Sequence, residues 1–384
     1  MRSIRPIVCQ IFLIMNEKEI ISLIALGEIP GLGVIGARNL LNTMGSAVNL
    51  FSNLNEIKTL LPGVKNQSIE ALNCPEAFER AEKEYKFACE NAITCLGIND
   101  EAYPSRLREC DDAPILLYYK GTTDLNKAKI VSIVGTRNIT EYGIKTCHKF
   151  LQELRSYIPD LLIISGLAYG VDIHAHRNAL INGLPTIGVL AHGLDRIYPS
   201  LHRNTAIEML QNGGLITEYK SCTNPDRPNF VRRNRIVAGM SDATIVIESA
   251  VKGGALITAG IAQTYNRDCF AFPGKTTDEF SQGCNNLIRD NKAALIQNAE
   301  DFIKAMCWDL SEKQKLPVQA GLFPDLTDKE EIIVSILQKE GSMQINALVV
   351  ASNIPVNKLN AILFELEMKG VIRVLAGGVY QLLL

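Results

Sequence analysis

The sequence predicts an α/β protein whose centre is a parallel sheet with helices on both faces. Across residues 91–308, near-continuous apolar runs of about four to six residues alternate with helix-length stretches, the pattern of strands buried on both faces. Residues 15–90 carry only helical patterns, and residues 326–384 carry three helical stretches and then a hairpin pattern. We therefore expect a helical N-terminal domain (15–90), a sheet core (91–308), a linker (309–325) and a small C-terminal domain (326–384).

The first residues of the chain are treated separately. The apolar run from Ile7 to Met15 follows Arg2 and Arg5, as in a secretion signal, but it is short and lacks a small-x-small cleavage site. Residues 1–14 are therefore expected to be a non-native or disordered extension, with Met15 as the natural start. No other stretch has the length and composition of a membrane span, so we expect no membrane association.

Composition limits the function classes. The net charge is −2, so a nucleic-acid binder of this composition needs a local basic patch rather than an overall positive charge. The ten cysteines form no Cys-x-x-Cys pair. This pattern predicts reduced thiols in a cytoplasmic protein, with neither disulfides nor a zinc site.

The N-terminal helical domain carries two turns of the helix-hairpin-helix type, which also occur in SAM-like bundles. They are Ile29-Pro30-Gly31-Leu32-Gly33 and Leu60-Leu61-Pro62-Gly63-Val64, and the second has Lys65 where a second glycine is usual. Amides of such a hairpin can hold a DNA phosphate, but the same turns serve as plain connectors in helical bundles. Both interpretations stay open.

Six apolar runs are predicted as strands of the core. They are Lys129 to Val134, Leu161 to Ile164, Pro185 to Leu190, Gly214 to Glu218, Thr244 to Glu248 and Cys269 to Phe272. The first ends in Gly135-Thr136-Arg137 and the second in Ser165-Gly166-Leu167-Ala168. Ligands of parallel sheets bind beyond the carboxyl ends of the strands, where these loops lie. No dinucleotide or P-loop glycine motif is present, so no nucleotide cofactor is expected.

An arginine-rich segment precedes the fifth predicted strand and a glycine loop follows it. Arg232, Arg233 and Arg235 lie within four residues, and Gly253-Gly254 open the next helix. Backbone amides at a helix start attract anions, and guanidinium groups are the preferred partners of phosphate. The pattern predicts a phosphate-rich ligand. On a helix, Arg232 and Arg235 share a face more nearly than Arg232 and Arg233 do, so not all arginines can face one ligand.

Other polar residues favour structural interpretations. Asp172, His174 and His176 resemble a metal motif, but positions two apart do not share a helix face, so we favour a capping aspartate and a packing histidine. His192 lies in the loop after the third strand without a nucleophile motif, and Tyr198-Pro199 is interpreted as anchoring that loop. No metal is expected.

Glu248 ends the fifth predicted strand beside the glycine loop. It is either a general base for glycosidic-bond hydrolysis or a carboxylate that holds the arginine cluster in place. The second interpretation is favoured.

The C-terminal domain has the order of a winged helix. Helices are predicted over Asp328 to Gln338, Gln344 to Ala351 and Pro355 to Lys369, followed by a hairpin around Ala376-Gly377-Gly378. The third helix contains Phe364-Glu365-Leu366-Glu367 and is too acidic for a typical recognition helix. A protein-docking or scaffold role is therefore kept beside DNA binding.

Taken in order, these segments resemble the DNA-processing protein A family (DprA, also called Smf). The matching segments are Tyr103-Pro104 with Leu107, Pro114-Ile115-Leu116-Leu117-Tyr118, Val134-Gly135-Thr136-Arg137, Ser165-Gly166-Leu167-Ala168, Gly170-Val171-Asp172, Tyr198-Pro199, Phe230, Arg233-Asn234-Arg235-Ile236, Gly254, Leu256-Ile257-Thr258-Ala259 and Phe272-Pro273-Gly274. The chain departs from the family at Ile139-Thr140, where Pro-Ser is usual, and at Gly253-Gly254-Ala255, where Ser-Gly-Ser is usual. Thr140 is a candidate replacement for a lost hydroxyl.

The resemblance implies an extended Rossmann-like core between a helical domain and an optional winged helix. It also implies single-stranded DNA binding, a homodimer formed through the core, and loading of the RecA recombinase during natural transformation, without catalysis. The alternative is a nucleotide-processing N-glycosidic hydrolase with the same type of sheet, although its Pro-Gly-Gly-x-Gly-Thr loop is missing here. Phe230 offers a ring for base stacking. The predicted DNA-binding residues are Arg137, Gly166, Arg227, Phe230, Arg232, Arg233, Asn234, Arg235, Gly253 and Gly254.

Overall fold

A computed structural model describes residues 17–60, 66–308, 326–340, 342–369, 371–375 and 379–382. The chain divides into two compact units, Met1–Lys313 and Gln314–Leu384. The predicted extension at 1–14 and the predicted linker at 309–325 lie outside the described residues.

The first unit begins with short helices. They are α1 (Glu17–Gly27), α2 (Val34–Met44), α3 (Ala47–Ser52), α4 (Leu54–Leu60), α5 (Asn66–Leu72) and α6 (Pro75–Glu90). The first predicted hairpin turn joins α1 to α2, and Gly31 in this turn has a φ of +77°, which glycine adopts without steric cost. The second predicted turn falls mostly on residues 61–65, outside the described residues. DNA contact by either turn stays a prediction.

The core of this unit is one mixed sheet. Its strands are β1 (Thr94–Gly97), β2 (Leu116–Gly121), β3 (Ile130–Val134), β4 (Leu162–Ser165), β5 (Thr186–Val189), β6 (Gly213–Thr217), β7 (Ala243–Val246), β8 (Asp268–Ala271) and β9 (Ala294–Leu295). Their order across the sheet is β1-β2-β6-β5-β4-β3-β7-β8-β9. The six predicted strands are all present, at β3 to β8. These six strands run parallel to one another, as predicted. The sheet extends beyond them at one edge, where β2 runs antiparallel to β6 and β1 antiparallel to β2.

Helices cover both faces of the sheet. They are α7 (Ser105–Arg108), α8 (Glu141–Tyr157), α9 (Val171–Ile181), α10 (Arg203–Met209), α11 (Arg227–Gly239), α12 (Gly254–Thr264), α13 (Gln282–Arg289) and α14 (Ala299–Ala305). On one face, Phe150 of α8 and Phe302 of α14 meet edge to face, with ring centroids 6.0 Å apart. Such aromatic pairs add to the stability of a core beyond the area that they bury.

The N-terminal helices share the other hydrophobic core with the sheet. A single cluster of buried side chains runs from Ile20 in α1 to Ala293 beside β9. The Arg38 guanidinium of α2 donates to the carbonyl oxygens of Arg108 (2.7 Å) and Cys110. The boundary predicted near residue 90 stays a prediction, and it would divide this continuous core.

The strand order reverses between β3 and β7. From β3 the chain proceeds to β4, β5 and β6 on one side, and β7 to β9 lie on the other. Connections that leave in opposite directions open a crevice at the carboxyl ends of the two central strands, which is where doubly wound sheets bind ligands.

The second unit is a winged helix, as predicted. It contains α15 (Asp328–Glu340), β10 (Ser342–Gln344), α16 (Ile345–Ser352), α17 (Val356–Met368), β11 (Ile372–Leu375) and β12 (Val379–Leu382). The strands form a sheet in the order β10-β12-β11. Its helices and sheet enclose a hydrophobic core of their own, including Ile333, Leu348 and Leu363.

Among the described residues, no single helix is long and apolar enough to cross a membrane. Only α16 and α17 taken together would have the length and composition, and the chain bends by 107° between them.

Candidate nucleic-acid interface

Backbone hydrogen bonds join the loops that border the crevice between β3 and β7. The Thr136 amide donates to the Glu248 carbonyl (2.8 Å), and the Val171 amide donates to the Thr136 carbonyl (3.1 Å). The loop after β3 is thereby fixed against the loop after β7 and the start of α9. Gly170 permits this approach, because a Cβ atom there would lie 2.1 Å from the Thr136 carbonyl oxygen and its φ is +73°.

Glu248 has a different role from the one predicted. Its buried carboxylate accepts hydrogen bonds from the amide (2.9 Å) and the hydroxyl (2.6 Å) of Thr140. The Thr140 hydroxyl in turn accepts from the Gly143 amide (3.3 Å) and caps α8. The prediction that Glu248 holds the arginine cluster is wrong, because this carboxylate holds the loop that carries Arg137. Thr140 is therefore a helix cap.

Arg137, Phe230 and Tyr198 form an aromatic and cationic group at this edge. The exposed Arg137 guanidinium lies 5.3 Å from the centre of the Phe230 ring. The Tyr198 ring lies 5.9 Å from the same ring and is 47% exposed. Sequence reasoning gave Tyr198 only an anchoring role. Its position in the loop after a core strand, at the edge that carries the other candidates, was the available signal.

Arg233 lies buried beneath this group. Its side chain donates to the Val189 carbonyl, and its Nε atom has no hydrogen-bond partner. The guanidinium packs directly on Gly166, where a Cβ atom would lie 2.2 Å from Nη1. Gly166 was predicted to present its amide to the ligand. In the structure it is buried, and its missing side chain makes room for Arg233.

Burial disfavours the charged forms of both Asp172 and Arg233. Burial raises the pKa of Asp172, and the positive charge of Arg233 works in the opposite direction. Burial lowers the pKa of Arg233, the negative charge of Asp172 counteracts this, and the positive charge of Arg137 lowers it again. A guanidinium keeps its proton throughout the physiological range, so Arg233 is a buried cation that feels the charges of both Asp172 and Arg137.

Arg232 and Arg235 lie on another face of α11. The Arg235 guanidinium donates to the Glu218 carboxylate and to the Asp112 carbonyl (2.5 Å), and Nε of Arg232 lies 3.8 Å from the Glu218 carboxylate. This confirms that Arg232 and Arg235 share a face, as their spacing predicts. Helix α11 thus divides the arginines between two sides, in agreement with the expectation that not all of them can face one ligand. Burial raises the pKa of Glu218, and Arg235 and Arg232 counteract it.

The remaining predicted residues lie on the same elements. Arg227 is the exposed first residue of α11, and Asn234 is half-buried on that helix. Gly253 caps the N-terminus of α12 and Gly254 is its exposed first residue. A Cβ atom at Gly254 would meet nothing within 4 Å, so the approach to this helix start is open. Contact with a ligand stays a prediction for these residues.

Two members of the apparent metal motif, Asp172 and His176, make structural contacts. Oδ2 of Asp172 accepts from the Ala168 amide (3.3 Å), and Nδ1 of the buried His176 meets the Thr186 hydroxyl at 2.7 Å. Burial lowers the pKa of His176 to about 3. Within the described parts of the chain, no three His, Cys, Asp or Glu side chains are grouped to hold a metal ion.

The fold and site define a Rossmann-like α/β protein with a cationic, aromatic crevice at the switch point of its sheet, in one chain with a winged helix. The family model described as DNA recombination-mediator protein A matches residues 94–307, and the DprA winged helix domain matches residues 319–378. The chain belongs to the DprA/Smf family.

Individual relatives agree with this assignment. The DNA processing protein DprA of Streptococcus pneumoniae is 39% identical over 208 residues, which is 54% of this chain and 72% of that protein. The X-ray structure of the Streptococcus pneumoniae protein has a TM-score of 0.60 at 31% identity and covers 76% of this chain and 98% of that one. A Helicobacter pylori DNA processing protein A structure, described by its single-stranded DNA binding mode, has a TM-score of 0.50 at 32% identity and covers 56% of this chain and 95% of that one.

Proposed function

We propose that this protein is a single-stranded DNA-binding recombination mediator without catalytic activity. It protects incoming DNA and loads RecA during natural transformation, acting in the cytoplasm as a homodimer formed through the Rossmann-like core. The RecA, transformation and dimer parts of the proposal rest on family membership. The DNA-binding part has its own support in the geometry of the crevice.

The observation that carries the proposal is the group of Arg137, Arg233 and Phe230 at the switch point. Burial and the positive charge of Arg137 both disfavour the Arg233 cation, and Asp172 does not fully offset them. A phosphate between or above the two guanidinium groups would stabilise both cations and accept charge-assisted hydrogen bonds. The adjacent rings of Phe230 and Tyr198 offer faces on which unpaired bases can stack. Phosphate contacts next to stacking rings suit a single strand better than a duplex.

The hydrolase alternative finds no support in the site. Its general base would be Glu248, and both oxygens of that carboxylate bind Thr140. Glu248 is also only 2% exposed, so its carboxylate is placed to hold the Thr140 loop and not to meet a substrate and a water molecule in the crevice.

The test is a titration of oligonucleotides, single-stranded and double-stranded, across a salt series. Arg137→Ala is expected to weaken single-strand binding about tenfold and to reduce the slope of log affinity against log salt by about 0.7, the value for one lost phosphate contact. Phe230→Leu should cost roughly 1–3 kcal/mol of stacking and leave the slope unchanged. Arg289→Ala is the control, because that exposed side chain pairs only with the neighbouring Asp290 among the described contacts.

An unchanged affinity and slope in folded Arg137→Ala would contradict the proposed phosphate site. Release of free base from nucleotides, abolished by Glu248→Gln, would contradict the absence of catalysis.

A further inference from the structure

A second cleft lies at the same edge of the sheet, on the Arg232 face of α11. Its volume is about 230 Å³, and α1 and α2 form one wall while the start of β2 and the segment after β6 form the other. Leu116 begins β2 beside the end of β6, since Tyr118 pairs with Thr217. The cleft therefore opens at the carboxyl end of the sheet, as the Arg137 site does.

The walls of this cleft combine polar and apolar surface in similar shares, and both sides contribute apolar residues. Ile24 and Val34 face it from the helices, and Pro114 and Ile115 face it from the strand side. A flat ring inserted between such walls would be removed from water, which favours binding of an aromatic or heterocyclic group.

The cleft contains one buried carboxylate oxygen without a partner. The Glu218 side chain is 7% exposed, and one of its oxygens binds Arg235. The other oxygen, Oε1, has no hydrogen bond, and Nε of Arg232 at 3.8 Å is too far away to provide one. A ligand that supplies a hydrogen-bond donor to such an acceptor would bind more tightly, because the acceptor no longer lies buried without a partner.

The other charges in the cleft already have partners. Glu28 binds Lys220 and also approaches Arg80, with its carboxylate 3.6 Å from Nε. With two carboxylates on its lining, the cleft does not suit a phosphate. Arg232 is half-exposed and suits a phosphate at the rim.

We propose that this cleft takes an unpaired nucleobase of the bound strand, with the exocyclic amino group of the base donating to Glu218. Cytosine, adenine and guanine carry such a group and thymine does not. A carboxylate accepting from the cytosine N4 amino group is an established pairing in base recognition. The proposal deepens the single-stranded DNA function and rests on it, and it adds base preference to a site otherwise directed at phosphates.

The experiment compares dC and dT oligomers of equal length with the full chain at neutral pH. The wild-type protein should bind dC about tenfold more tightly, the effect of one hydrogen bond to a charged acceptor. Val34→Trp fills the cleft from the half-exposed start of α2 and should abolish this preference while dT binding is retained. Val350→Trp, at an exposed position of the winged helix, is the matched control and should keep the preference.

Glu218→Gln gives an independent test, because it places an amide donor where the carboxylate accepted. It should reverse the preference toward dT, whose carbonyl oxygens accept hydrogen bonds. Equal binding of dC and dT by the wild type, or a dC preference that survives Val34→Trp, would overturn the inference and leave the proposed function intact. Failure to bind either oligomer would overturn the proposed function itself.

Free deoxycytidine monophosphate should bind far more weakly than the oligomer. Equal affinity would assign the cleft to free nucleotides and would overturn its assignment to a base of the bound strand.

Discussion

Arg137 and Arg233 are the same side chain in opposite surroundings. Arg137 is exposed above the Phe230 ring, whereas Arg233 is 3% exposed and donates to a strand carbonyl. Truncation of an exposed arginine changes the free energy of unfolding little, whereas a buried guanidinium supports the backbone around it. Substitutions at the two positions therefore test different properties, binding at Arg137 and folding at Arg233.

His176 makes stability depend on pH. Burial holds its pKa near 3 in the folded protein, against 6.5 ordinarily. Between these values the unfolded chain binds a proton that the folded chain does not, so stability should fall as pH falls from about 6.5, by up to about 1.4 kcal/mol per pH unit. Denaturant melts between pH 4 and 8 measure this slope.

Two substitutions separate the effect of His176 protonation on stability from the effect of its hydrogen bond. His176→Gln should reduce the slope below pH 6.5, since no group titrates at that position, and His174 and His192, whose pKa values burial also lowers, should supply what remains. Thr186→Val removes the hydroxyl that meets Nδ1 and should lower stability at every pH while keeping the slope. Equal slopes in wild type and His176→Gln would contradict the assignment.

Helix α11 is the element that organises the site. Its residues Phe230 and Arg233 face the crevice at the switch point, and Arg232 and Arg235 face Glu218. A one-residue change of register would rotate this helix by about 100° and turn both sets away from their partners. Pairing of Arg235 with Glu218 therefore fixes the orientation in which Phe230 and Arg233 lie at the crevice.

Arg235→Ala should destabilise the protein by roughly 3–5 kcal/mol, because it leaves the Glu218 carboxylate buried without its main partner. Arg227→Ala is the control on the same helix. Since Arg227 is exposed, its loss should change stability by no more than about 0.5 kcal/mol. Urea denaturation of the two variants measures the difference, and equal stabilities would show that the Glu218 pair does not hold α11.

The strands and their loops could be predicted because their signals are local. The apolar runs at β3 to β8 and the glycines that follow them are read from a few adjacent residues. The division of the arginines between two sides of α11 could not be predicted in this way, because it depends on the partners Glu218 and Asp112. Both partners come from other elements, and Asp112 is far away in the sequence. The antiparallel β1 and β2 were missed for a similar reason, since their direction is set by pairing with β6.

At the scale of the whole molecule, the hydrophobic cores define which parts can be separated. The N-terminal helices share their core with the sheet, so their removal would expose buried residues beside α1 such as Leu116 and Tyr118. The winged helix encloses a core of its own. We therefore predict that the second unit, and not the N-terminal helices, is the separable part of the chain.

A chain that ends at Lys313 should keep its single-stranded DNA affinity within about twofold. Helix α17 carries Lys358 against Glu365 and Glu367, so it has no net positive charge with which to offset phosphate repulsion. Titration of the truncated and full chains with the same oligomer measures the effect. Binding by the isolated 326–384 fragment as tight as that of the full chain would place the main DNA site in the winged helix instead.

The contact between Gly166 and Arg233 links two distant positions in the sequence. Any side chain at 166 would occupy the space of the guanidinium, since even a Cβ atom would lie within 2.2 Å of it. A side chain at 166 would therefore require the Arg233 guanidinium to move or a smaller residue to stand at 233, and either change gives up the buried cation at this place. We expect homologues with a residue other than glycine at 166 to lack this arginine, whereas loss of the arginine puts no constraint on the glycine.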